Sequence, residues 1–479
     1  MKSKITYIAL LISCCFACND SFLEVAPTAT RSVAGFYKNP NDFNNAVIGA
    51  YSILKRPGIY GGSLIWMGEV MSDNTTFTKP RVGGNIDQYA FVDHEFSLLN
   101  EIIYNAWRDH YEGIAATNII LEKIGNVDFG ANDKKDQYIA EAKFLRALYY
   151  FDLVRMFGDV PLVTSEITSP FAGLEFIRNP AEEIYALIVD DLTAAEQSLP
   201  VSYLPDDAGR ATRGAAKALL GKVYLTMGLY AKAEIKLKET IDLNQYKLLD
   251  DYGDVFNVNN PNNAEIIFAV QYISGEVGQG NGFWDQFAPS DSYEYVLGPG
   301  VSSGGGMNIP TPDMVEAYEP LDKRKSASLE EGYMNTSDDV FVNDPYVIKY
   351  KDYGKRAGDG GADFPVLRYA DVLLMYAEAL NEQQRSGEAL PYLNEVRHRA
   401  GLEDLTISDQ SGLKLAIELE RRVELAFENQ RWFDLVRTGR YVEVMNSKGY
   451  QQVKDYHRFF LIPQHEIDLN PKLVQNQGY

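Results

Sequence analysis

Apolar positions recur at helical spacing through most of the long segments of the chain. From Gln137 to Phe157 they fill most of the circumference, with only Glu141, Lys143, Arg146, Asp152 and Arg155 interspersed. That stretch ends at Gly158-Asp-Val-Pro161, a terminating glycine followed by proline, and describes a helix buried on more than one side. Asn179-Pro180-Ala181-Glu182 is a helix start, with Asn179 as N-cap and Pro180 at the first helical position. Trp432 and Phe433 share helical spacing with Leu425, Phe427 and Val436, which assigns them to the core rather than to a binding face.

The segment Ala215 to Leu243 is more specific. Leu220-Gly221, Tyr224, Gly228, Tyr230, Ala233 and Leu237 fall at the positions of a tetratricopeptide hairpin, a unit of ~34 residues with small residues where its two helices touch. Weaker echoes run from Asp371 to Leu402 and through 102–157 and 411–440. The expected fold class is therefore mainly α, a helical-repeat core with little β.

Between the helices the pattern breaks. Residues 57–96 are rich in Gly, Asn and Asp, residues 278–312 hold eight glycines, and residues 354–363 form a shorter Gly- and charge-rich loop. Long structureless stretches in a folded chain are usually functional, and the rings they carry argue against disorder. Trp66, Tyr89, Trp284, Tyr293 and Tyr295 lie off any helical stripe, beside Asp73 and Asn74. A flat ring covers the apolar face of a sugar while amides and carboxylates take its hydroxyls, so these seven residues are the candidate ligand-binding set. The plainer alternative is that the rings pin the loops to the helical core.

The N-terminus changes the picture of location. Lys2 and Lys4 precede an apolar run from Ile5 to Ala17, too short to span a bilayer and shaped as a secretory signal peptide. All three cysteines, Cys14, Cys15 and Cys18, lie at its end, and on local pattern either Cys14 or Cys18 suits lipid attachment. Lipidation at Cys18 leaves the mature chain without a thiol, which excludes disulfides, thiolate catalysis and cysteine metal sites. No later stretch offers 18 uninterrupted apolar residues, so no second span is expected. The formal charge of −22 repels nucleic acid and anionic headgroups.

Other chemistry is weakly signalled. Gly300-Val301-Ser302-Ser303-Gly304 matches a nucleophile elbow in letters, but glycines and a proline surround it where a strand and a helix are required. Gly278-x-Gly280-x-Gly282 likewise lacks the strand and helix of a dinucleotide loop. The five histidines have no metal-ligand spacing. Asp250 to Asn263 and Ser337 to Asp344 carry enough carboxylates and amides to hold a structural calcium ion, although neither matches a calcium-loop pattern and solvated turns are the better reading. With 67 acidic residues, a carboxylate pair for glycoside hydrolysis is a three-dimensional question.

Several segments together carry a family resemblance. They are Cys18-Asn-Asp20-Ser-Phe22-Leu23 to Pro27; Glu141-Ala-Lys-Phe-Leu-Arg146 through Asp152 to Pro161; and Arg213-Gly-Ala-Ala-Lys through Tyr224. Further on come Pro365-Val-Leu-Arg368-Tyr-Ala-Asp371 to Glu378, Asn394-Glu-Val-Arg397, Glu420-Arg-Arg422-x-Glu424 to Asp434, and Leu461-Ile-Pro463 to Tyr479. From Cys18 to Tyr479 the chain resembles SusD/RagB-type nutrient-uptake lipoproteins of the Bacteroidetes outer membrane. The resemblance favours Cys18 as the lipidated residue. It implies a signal peptide over 1–17 and one SusD-like fold over 18–479, its N-terminal part about 18–250 and its C-terminal part about 260–479. It also implies about four tetratricopeptide-like helix pairs, no enzymatic activity and no cofactor. The implied partner is a SusC-like TonB-dependent transporter, over which the protein would act as a glycan-binding lid at the cell exterior. A peptide-binding lid, a surface glycoside hydrolase and an assembly scaffold are the alternatives.

Overall fold

The computed structural model describes residues 36–130, 134–169, 171–298, 304–352 and 356–479, apart from the side chain of Tyr293. The signal peptide, Cys14, Cys18 and the Gly300–Ser303 part of the elbow-like motif lie outside the described residues. Among the described residues nine longer helices dominate: α1 (Pro40–Ile53), α2 (Glu101–Lys123), α3 (Lys134–Phe157), α4 (Ala181–Ser198), α5 (Arg213–Thr226), α6 (Tyr230–Asp242), α7 (Tyr369–Glu382), α8 (Ser386–Arg399) and α9 (Gln410–Glu424). Each helix from α2 to α8 packs on the next, and α9 joins by packing on α7, so the body grows as a helical array. No described helix is long and apolar enough to cross a membrane.

Side chains set the helix starts. Asn100 accepts from the N–H groups of Ile102 and Ile103 at 3.0 and 3.1 Å, and Thr212 accepts from Ala215 N–H at 3.1 Å. The expected cap of α4 is different: Asn179 accepts instead from Leu162 N–H at 3.1 Å, tied by a bridge between Val160 and Asn179, while Asp159 accepts from Ala181 N–H at 2.9 Å. The cap is thus supplied by an acid twenty-odd residues upstream.

α5 and α6 form the hairpin read from sequence. A Cβ on Gly221 would stand 2.7 Å from Leu237 Cδ2, so glycine is what lets the helices meet. Gly228 turns the chain between them at φ +71°. α3 is buried on nearly every face, and Trp432 and Phe433 are core residues, both as expected.

Strands are few: β1 (Thr75–Thr76), β2 (Ile266–Val270), β3 (Ile309–Pro310), β4 (Leu329–Glu330), β5 (Tyr333–Asn335), β6 (Val340–Val342), β7 (Tyr346–Val347) and β8 (Phe364–Arg368). They pair antiparallel as β1–β3, β2–β8, β4–β7 and β5–β6. Behind them lies a buried ionic core. Arg368 reaches Glu265, Glu424 and Glu428, Arg324 reaches Asp322, Glu420 and Glu424, and Lys349 holds Glu428. Burial alone would raise the Glu424 carboxyl, but Arg399, Arg368 and Arg324 around it hold it well below the usual carboxylate range. The Glu420-Arg-Arg422-x-Glu424 motif is therefore the staple between α9 and the non-helical half.

Candidate functional site

The loop segments singled out in the sequence converge. β1, from the first, pairs with β3, from the second, aligning Thr75 with Pro310 and Thr76 with Ile309. Thr78 N–H donates to Gly306 O at 2.9 Å, and the Thr78 hydroxyl lies 3.3 Å from that of Ser290. The third loop joins through Gly358 N–H, which donates to Asp285 at 2.6 Å, and through Asp359, which accepts from the N–H groups of Gly275 and Glu276. Backbone groups of long loops must find partners, and here they find them in one another.

The seven candidate residues divide. Trp66, on a π-helical turn, is 7% exposed and packs edge-on against Phe77 at 5.2 Å. Asp73 and Asn74 are interior: Arg431 and Arg422 clasp Asp73, while Asn74 donates to Glu69 and accepts from Arg422, each at 2.8 Å. Burial pushes the Asp73 carboxyl up, and the two guanidinium groups outweigh it and bring it below its ordinary value. Trp284 is buried in a satellite cluster with Tyr333 and Tyr346, and Lys351 stands 5.4 Å over its ring. All four side chains are thus buried, the two tryptophans against other rings and Asp73 and Asn74 against arginines.

Tyr89 and Tyr295 are half-buried and differently placed. Tyr89 donates to Lys79 O at 2.6 Å and carries the Arg81 guanidinium 4.8 Å over its ring. Tyr295 stacks on Tyr333, with ring centroids 6.2 Å apart and planes 16° apart, and its hydroxyl lies 2.6 Å from that of Ser337. Tyr293 opens the same short helix, Tyr293–Leu297. The two regions touch through Thr78 and Ser290, next to Asp291, whose carbonyl accepts from the Tyr333 hydroxyl at 3.2 Å.

The β5–β6 hairpin was not in the candidate set, yet it supplies three exposed apolar side chains: Met334, Val340 and Phe341, the last 55% exposed. Its signal was present: Tyr-Met-Asn and Val-Phe-Val flank a polar four-residue turn. That turn is the acid-rich stretch weighed for calcium. Asn335 there accepts from the N–H groups of Ser337 and Asp338 and donates to the Asp338 carboxylate, so the turn uses its own polar groups. Nearby, burial raises the Asp344 carboxyl, and the charge of Asp291 adds to the shift.

A helical-repeat body bearing one surface made of inserted loops is the class of protein this geometry defines. The chain belongs to the SusD/RagB family. Residues 322–479 match the model of the SusD family, and residues 44–225 match that described as starch-binding associating with outer membrane. It is 30% identical to a SusD-like protein of Formosa agariphila, over 100% of this chain and 99% of that one. It is 26% identical to the starch-binding protein SusD of Bacteroides thetaiotaomicron, over 78% of this chain and 76% of the other. Among solved structures it is similar to a laminarin-binding SusD-like protein, with 28% identity and a TM-score of 0.81, covering 92% of this chain and 100% of that one.

Proposed function

We propose that this protein is a non-enzymatic glycan-binding lipoprotein of the outer membrane, anchored through Cys18, that serves as the ligand-binding lid of a SusC-like TonB-dependent transporter. The observation that carries the reading is the convergence of three loop segments into one surface with half-exposed Tyr89 and Tyr295, exposed Phe341 and adjacent carboxylates. Rings take the C–H faces of sugar residues, while Asp291, Asp344, Asn335 and Ser337 take hydroxyls. The laminarin- and starch-binding relatives support a glycan as the ligand class. The helical body offers the large face that docking on a transporter needs, and lid closure traps the glycan above the barrel.

The test is calorimetric titration of residues 18–479 carrying Cys18→Ser with neutral polysaccharides, host glycans and peptides, each checked afterwards for cleavage. Glycan binding without cleavage is the expected result. Peptide-only binding would make the protein a peptide lid. Cleavage would make it a surface hydrolase.

A further inference from the structure

A second concavity meets the loop segments only at Gln279. It holds about 400 Å³ between α1, the 206–210 loop and β2, within the roughly 300–1,000 Å³ of small-molecule clefts. Across Gly209 and Arg210 it adjoins a smaller hollow of about 220 Å³. Its floor is apolar, built on Leu54, Phe268 and Val270, with Ile48 half-exposed at the lip.

The walls are held in place. Gln271 and Asn262 exchange amide hydrogen bonds at 3.0 and 2.8 Å. Gly209, at φ +90°, brings the loop against Gln271, where a Cβ would stand 2.8 Å from the amide carbon. Arg210 is committed to Glu141 and Asp207, and the Tyr51 hydroxyl accepts from Ala211 N–H at 2.9 Å. A cleft whose lining is already hydrogen-bonded loses little freedom on taking a ligand.

Lys55 is the exception. Its ammonium donates to the neutral amide oxygen of Gln279 and lies 5.8 Å from the Tyr272 ring centroid. Among the described residues no carboxylate comes within ion-pair distance of it; Asp363 acts on it only from further off. Buried Lys222 and Lys349 and half-buried Lys217 and Lys236 hold carboxylates, whereas half-buried Lys135, like Lys55, meets a neutral oxygen, that of the Val127 carbonyl. In a chain with 67 acids against 45 bases, a groove-wall cation paired only with an amide has donors to spare for an anion. Of the groove's own acids, Asp207 is neutralised by Arg210, and Asp206 is exposed on the far loop, which directs a ligand's negative end towards Lys55.

We propose that this groove is a second saccharide site, selective for a sugar bearing a carboxylate or sulfate that meets Lys55 while the ring lies over Ile48 and Phe268. That the ligand is a saccharide rests on the glycan-binding reading above; the acidic selectivity rests on the groove.

The test titrates the full mature chain with short oligosaccharides of three kinds: neutral, uronate-bearing and sulfated. Wild type is compared with Lys55→Ala, with Ile48→Glu, which fills and repels at an exposed lip position, and with Phe341→Ala in the loop surface. Binding of either acidic kind that both groove variants weaken about ten- to hundredfold, while their neutral-sugar binding stays at the wild-type level, supports the site. The uronate and sulfate arms identify the acidic group. Acidic sugars that bind Lys55→Ala as well as wild type, or fail to bind at all, overturn it. Loss of neutral-sugar binding in Phe341→Ala alone reports on the loop surface and leaves that reading standing while the groove falls. Unchanged unfolding midpoints confirm that the groove variants fold.

Discussion

Arg431 grips Asp73 with two guanidinium nitrogens, at 2.8 and 3.1 Å, across 358 positions of sequence. Both side chains are buried, and Arg422 adds a third contact at 3.1 Å. The pair joins the first loop segment to the C-terminal helices and so fixes the base of the loop surface. Asp73→Ala removes these charged hydrogen bonds but leaves Arg422 on Asp313 and Arg431 beside Glu418, and is expected to cost about 1.5–3 kcal/mol, read as a lower midpoint in urea. Stability within 1 kcal/mol of wild type would show that the pair is dispensable.

Gly221→Ala tests the repeat body in the same assay. The added methyl meets Leu237 at 2.7 Å, and α5 and α6 must part to admit it. A loss of about 1–3 kcal/mol is expected from overpacking, against the gain that alanine brings to an open helix position. A neutral or stabilising effect would mean that the hairpin contact is looser than drawn.

Two buried histidines give stability a pH dependence of defined sign. His94 and His457 lie with ring centroids 6.2 Å apart, and burial pushes each down to about 4. His94 Nε2–H donates to Met71 O at 3.0 Å, and His457 Nδ1 accepts from Lys454 N–H at 2.9 Å, so both are neutral in the fold. Unfolding frees them to bind protons near the ordinary value of 6.5. Their contribution is therefore present above 6.5 and lost as pH falls towards 4. Glu69 runs the other way: burial raises it to about 7, so its contribution is present below 4.5 and lost as pH rises towards 7. Urea midpoints measured from pH 4 to 7 for wild type and His94→Gln separate the two, because the substitution removes the His94 part of the histidine slope and leaves Glu69 in place. Parallel profiles would refute the assignment for His94.

The helical half was legible because its cause is local. Gly221, Gly228 and Ala233 mark one hairpin within a few turns of chain, and the apolar circumference of 137–157 announces a buried helix. The loop half was legible as a set of segments but not residue by residue. Composition cannot tell a polar loop residue that faces ligand from one that faces an arginine three hundred positions away, and Asp73 and Asn74 are of the second kind. Trp66 and Trp284 lie off helical stripes yet are buried by neighbouring loops, Phe77 in one case and Tyr346 in the other. Phe341 is less legible, because its strand is only three residues long and flanks an acidic turn.

Phe341 and Trp284 make a discriminating pair for the binding surface. Phe341 is 55% exposed, and its removal forfeits little packing, so Phe341→Ala is expected to keep stability within about 0.5 kcal/mol. If the hairpin stacks on the ligand, the same substitution weakens glycan binding about tenfold. Trp284 is 5% exposed among Tyr333, Tyr346 and Val296, so Trp284→Ala is expected to cost about 3–5 kcal/mol and to loosen the platform on which Tyr295 stacks. Titration and urea unfolding on both variants read the two effects apart. Weaker binding in Phe341→Ala at full stability would place the ligand on the hairpin. Unchanged binding in Phe341→Ala, together with lost binding in a still-folded Trp284→Ala, would move the ligand off the hairpin and onto the platform that Trp284 supports.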